Sequence, residues 1–125
     1  MIWQLTLVAC GGALGACSRY GVSILLRYWA IESWPAATLS VNILGSLGIG
    51  VAYVLLDRGA VHPDVRALIV IGFFGAFTTF STFSLETLHM LEGGELGKAA
   101  VYAAASLLGC VGGVMVGVSV TRLVN

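Results

Sequence analysis

Polar and charged positions are sparse along this chain, and they cluster. No charged side chain occurs in residues 1–18, 33–56, 67–85 or 99–121. The polar residues that separate these runs gather in short connectors at 27–35, 57–65 and 92–98. A helix needs about 20 apolar residues to cross a hydrocarbon core, with a working range of about 17–25. The pattern therefore predicts four membrane-spanning helices, over about 3–28, 36–56, 66–91 and 98–122. The apolar–polar alternation of a transmembrane strand is absent. The expected fold class is all-α integral membrane, with the whole of residues 1–125 in one domain.

Composition sharpens that reading. The chain is 58% hydrophobic and 10% charged, against roughly 25% charged in a soluble domain, so a soluble fold could not cover its own surface. Formal net charge is zero and no basic cluster exists, which argues against nucleic acid as a partner. LVAC at residues 7–10 resembles a lipoprotein cleavage site, but MIWQLT before it has no Lys or Arg. A retained first helix is expected instead. Cys10, Cys17 and Cys110 lie within spans without metal-ligand spacing and are expected to pack as small apolar residues. Tyr28, Trp29 and Trp34 in the first connector suit the membrane interface.

Orientation is weakly specified. Arg58, Arg66 and Arg122 fall on the N-terminal side and Arg27 and Lys98 on the other, so the usual excess of cytoplasmic cations is nearly missing. Either other features decide insertion or copies insert both ways round. Four short helices are also too few to enclose a wide aqueous path. Both observations point towards an oligomer, antiparallel copies being one arrangement.

The spans carry distinct chemistry. GGALGACSRYG (11–21) has a GxxxG pair, Gly11 and Gly15, a face that permits close helix approach. Arg19 follows it inside the apolar register, where a charge must pair or reach water. It either snorkels to a rim or attracts anions. Asn42 and Thr38 share one face of the second span. Asn42 can serve as interhelical glue or offer N–H donors to an anion. Gly109, Gly113 and Gly117 form a ladder in the fourth span, where Tyr102 and Ser106 share another face. No nucleophile–base grouping, phosphate loop or zinc motif is present, and Glu86 is the single acid within a span, so no enzyme is expected.

The third span is the most unusual. Gly72 and Gly75 weaken it, and five hydroxyl residues follow between 78 and 84. A helix break at membrane depth needs protein or a water-filled cavity to satisfy its backbone, and transporters aim such broken ends at ions. A break is expected near Gly75–Thr79. Beyond it, TTFSTFS puts Phe80 and Phe83 on one stripe and Thr79, Thr82 and Glu86 on another. Phenyl edges are electropositive and hydroxyls can replace an anion's water. A small, tightly hydrated anion such as fluoride fits this pattern, though the pattern does not single it out.

GGALGACSRYG, TLSVNILGS and GFFGAFTTFSTFSLE, in this order and spacing, resemble the bacterial fluoride channels of the Fluc (CrcB) family. The resemblance covers nearly the whole chain. It implies a multi-pass protein of the bacterial inner membrane that lets cytoplasmic fluoride leave passively. It also implies a dual-topology antiparallel homodimer with two pores, set in membrane lipid. By motif position, Asn42 would hydrogen-bond fluoride and Phe80 and Phe83 would present ring edges to it. Ser81 and Thr82 would donate hydroxyls, Glu86, Tyr102, Ser106 and Thr38 would continue the polar track, and Arg19 would lie near a vestibule. A structural sodium ion at the dimer centre would sit on the backbone carbonyls of Gly75 and Thr78. The family commonly pairs glycines at the break, whereas this chain has Gly75–Ala76. If position 76 needed a positive φ, alanine there would be strained. A proton-coupled multidrug antiporter would need an acid in the first span, which carries Arg19 instead. A fluoride–proton antiporter is the other alternative, and a non-transporting scaffold would leave TTFSTFS unexplained.

Overall fold

The computed structural model describes residues 1–28, 34–57, 59 and 62–124. Trp29, Arg58 and the side chain of Tyr28 lie outside the described residues. All regular structure among the described residues is helical: α1 (Ile2–Tyr28), α2 (Ala36–Asp57), a single turn α3 (Pro63–Val65), a π-helical segment (Arg66–Phe74), α4 (Gly75–Phe77), α5 (Phe80–Glu92) and α6 (Leu96–Val124). Four stretches are long and apolar enough to cross a membrane: Ile2–Arg27, Ala36–Leu56, Pro63–Glu92 and Leu96–Val124.

Local chemistry explains the ends of these elements. Pro35 stands one residue ahead of α2, and its carbonyl accepts the Leu39 N–H at 3.1 Å. His62 caps α3, its Nδ1 accepting the Asp64 N–H at 3.2 Å, with Pro63 at the first helical position where a missing N–H costs nothing. After α5 the chain turns through Gly94 at φ 75°. The Glu95 and Gly94 N–H groups then reach back to the Met90 and Leu91 carbonyls at 2.8 and 3.1 Å, the glycine-dependent helix stop of a Schellman turn.

The bundle closes through glycine faces. α1 packs mainly on the π segment and α2 on α6. A methyl added at Gly11 or Gly15 would overlap the carbonyl oxygens of Leu68 or Phe73, and one at Gly72 would stand 2.8 Å from the Val8 carbonyl oxygen. Gly72 is thus helical and buried, and its part is close approach to α1 rather than a break. On the other seam, a methyl at Gly113 would sit 3.0 Å from the Ile43 carbonyl oxygen. The π winding of Arg66–Phe74 is not what a plain helical span would give. RALIVIGFF is apolar throughout after Arg66, so it has no stripe of period 3.6 to distinguish one winding from the other.

The interior is small and partly polar. Tyr102 and Val41 are the largest fully buried side chains, and Thr38, Thr79, Ser106 and Thr121 are buried with them. Leu14, Leu44, Leu107, Leu108 and Val116 face outwards, as side chains against lipid do. Between α4 and α5 two residues leave the helix: Thr78 has φ −81°, ψ 159° and Thr79 has φ −154°, ψ 114°.

Candidate functional site

Thr38 and Thr79, both buried, gather with Asn42, Glu86 and Tyr102 where α2, α5 and α6 meet. Thr38 and Asn42, one turn apart on α2, face Glu86 and Thr79 of the third span. The Thr38 hydroxyl donates to Glu86 Oε1 at 2.8 Å and the Tyr102 hydroxyl donates to Glu86 Oε2 at 2.6 Å. Glu86, midway along α5, is therefore held by two hydroxyls from two other helices. Partial burial makes these bonds count, because a carboxyl shielded from water and left without partners carries a desolvation cost.

One turn deeper, Asn42 grips the extended stretch from both sides. Its Nδ2 donates to the Thr79 carbonyl at 3.0 Å, and its Oδ1 accepts the Thr79 N–H at 2.7 Å. The Thr79 hydroxyl in turn accepts the Thr82 N–H at 3.2 Å and caps α5. It also donates to Thr82 Oγ1 at 2.9 Å and lies 3.2 Å from Ser81 Oγ. Thr79, Thr82 and Glu86 make one file along α5, spaced three and four residues apart, and Asn42 and Thr38 make the facing file.

Aromatic rings flank the files. Phe83 lies 5.1 Å from the Tyr102 ring and 5.4 Å from Phe80, tilted to both, and Trp34 meets Tyr102 edge-on at 6.0 Å. Phe80 is 78% exposed and Ser81 is exposed too, so this chain alone does not enclose either. Ser106, one turn along α6 from Tyr102, is buried with no hydrogen-bond partner for its hydroxyl among the described residues. Arg19 is half-buried. Gly75 is exposed and Thr78 half-buried on the chain's flank.

Three cavities adjoin these groups. One of about 740 Å³ is lined by Arg27, Thr38, Thr82, Glu86, His89 and Lys98 among others. A second, about 250 Å³, holds Arg19, Thr38, Thr79 and Thr82. A third, about 260 Å³, holds Asn42, Ser46, Thr78, Thr79 and Phe80. Thr38 and Thr82 line both of the first two, and Thr79 lines both of the last two. Arg19 thus shares a hollow with the polar file. Sequence reasoning placed Thr79 on the polar stripe but gave it no site role, and it missed Ser46. A threonine just ahead of a helix is a recognised cap signal, which could have marked Thr79.

Fold and site together define a small polytopic membrane protein with a file of hydroxyl, amide and carboxyl groups through its interior. The chain belongs to the family described as CrcB-like protein, Camphor Resistance (CrcB), which it matches over residues 6–118. It is 43% identical over 119 residues to the fluoride-specific ion channel FluC of Rhodospirillum centenum, covering 92% of each chain. It is 46% identical over 116 residues to the protein of that name from Saccharophagus degradans, covering 92% of this chain and 86% of the relative. With a Thermus thermophilus protein of the same name it shares 45% identity over 101 residues, 81% of each.

Proposed function

We propose that this chain is a fluoride channel of the bacterial inner membrane, passive, non-enzymatic and assembled as an antiparallel homodimer with two pores. The observation that carries the reading is the pair of facing files, Thr38–Asn42 and Thr79–Thr82–Glu86, which place O–H and N–H groups beside the rings of Phe80 and Phe83. The names of the relatives supply the ion. Fluoride holds its water tightly, so donors must stand ready along its route. Asn42 keeps a second N–H beyond the one given to Thr79. The unpartnered Ser106 hydroxyl also favours transient occupants, since an unsatisfied buried hydroxyl costs about 1–3 kcal/mol. Phenyl edges at Phe83 and Phe80 add weak positive charge without a fixed cation that would trap the ion. The exposure of Phe80, Ser81 and Gly75 is what a face covered by a second copy would have.

A structural sodium ion at the dimer centre belongs to the same reading, held by the Gly75 and Thr78 carbonyls of both copies. The residues fit it. In a continuous helix those carbonyls would accept the N–H groups of Thr79 and Thr82, yet both N–H groups are given elsewhere. Carbonyl oxygens freed in this way are hard ligands suited to an alkali cation. Ala76 lies within the α-helical turn Gly75–Phe77, a conformation alanine favours, so its replacement of glycine needs no positive φ. Bound sodium would supply positive charge that ties the two breaks together.

With a potassium ionophore to balance charge, liposomes holding the purified protein should release fluoride and retain chloride. Asn42→Ala should slow release by about tenfold or more, the scale of a lost hydrogen bond in a rate-limiting position, and Phe83→Ile, which removes the ring edge, should slow it as well. Equal fluoride and chloride release would defeat the proposal.

A further inference from the structure

One residue accounts for both freed carbonyls. The main-chain N–H of Thr79 would close the helical bond to the Gly75 carbonyl, but it donates to Asn42 Oδ1 at 2.7 Å. The N–H of Thr82 would close the bond to the Thr78 carbonyl, but it donates to the Thr79 hydroxyl at 3.2 Å. Thr79 thus disposes of two donors at once, one by its own backbone and one by its side chain. Its extended backbone, at φ −154° and ψ 114°, is what turns the N–H towards α2. It is held there by Asn42 on both sides of the residue. Thr79 is also buried, so water does not compete for these bonds.

We propose that Thr79, anchored by Asn42, is the positioning residue of the cation site. Its hydroxyl keeps the Thr78 carbonyl, and its Asn42-bound N–H keeps the Gly75 carbonyl, available to an alkali cation. This rests on the sodium reading above. The two oxygens stay free because Thr79 satisfies the donors they would otherwise take. Removing the hydroxyl strips α5 of its cap and favours winding of the extended Thr78 and Thr79 into helix, where the Thr82 N–H takes the Thr78 carbonyl. Removing the Asn42 amide releases the Thr79 N–H to the Gly75 carbonyl in the same way.

The test uses the purified full-length protein in fluoride-free buffer, with sodium chloride exchanged for N-methylglucamine chloride at constant ionic strength. The readout is the sodium concentration that half-raises the thermal unfolding temperature. The wild type should show a saturable rise. Thr79→Val should move the half-point up by about tenfold or more, the size expected for one competing hydrogen bond, and Thr79→Ser, which keeps the hydroxyl, should restore it. Should Thr79→Val not yield dispersed protein, Asn42→Ala cuts the other arm and should shift the half-point likewise. A half-point within about twofold of wild type, less than about 0.5 kcal/mol, in Thr79→Val or Asn42→Ala would overturn the role of Thr79 and leave the sodium site standing. A wild type with no sodium response would overturn the sodium reading itself.

Discussion

At the scale of residues, the junction of three helices turns on a single carboxyl. Glu86 takes one hydroxyl from α2 and another from α6, so its two partners are coupled through it. Thr38→Val and Tyr102→Phe should each destabilise the protein by about 1–3 kcal/mol. The double variant should lose less or more than the sum by about 0.5–3 kcal/mol, as residues in one network do. Unfolding in mixed micelles checks this; strict additivity would mean the two bonds act alone. Much of this junction was legible. Thr38 and Asn42 declare a shared face by their spacing, as do Thr82 and Glu86. Thr79 was only half legible, because its value depends on Asn42, 37 residues away in sequence, and no local pattern reports a tertiary partner. The exposure of Phe80 was not legible either, since a stripe of rings reads the same whether it faces its own bundle or a second copy.

At the scale of elements, close approach sets the architecture. Small faces on α1 and α6 were visible in the spacing of Gly11 with Gly15 and of Gly109 with Gly113 and Gly117, and these are the faces in contact. The partner of each face was not visible, because glycine spacing names a seam without naming what lies across it. The π winding of Arg66–Phe74 was hidden by a uniformly apolar sequence. Gly15→Ala should therefore cost about 1–3 kcal/mol by overpacking, as its methyl would overlap the Phe73 carbonyl oxygen. Gly112→Ala, with nothing within 4 Å of the added carbon, should be near neutral. Comparison of the two unfolding midpoints is the check, and equal costs would show that the α1 seam is not tightly packed.

At the scale of the whole molecule, charge and exposure bear on the assembly together. The count of cations on the two sides, Arg58, Arg66 and Arg122 against Arg27 and Lys98, gives insertion little direction, which suits copies of both orientations. Loop substitutions that force one orientation should cut fluoride release, and co-expressing oppositely biased copies should restore it; release undiminished by either bias alone would speak against the antiparallel dimer. The hollows adjoin the polar file, and Phe80 beside them is 78% exposed. A passive channel passes fluoride without a coupled proton. Liposomes loaded with potassium fluoride, read with a fluoride electrode, test it most directly. Almost no release is expected until a potassium ionophore supplies the balancing current, then prompt release unaffected by a proton gradient. Release that speeds or slows with an imposed proton gradient while the ionophore holds the voltage would contradict it and make the protein an antiporter.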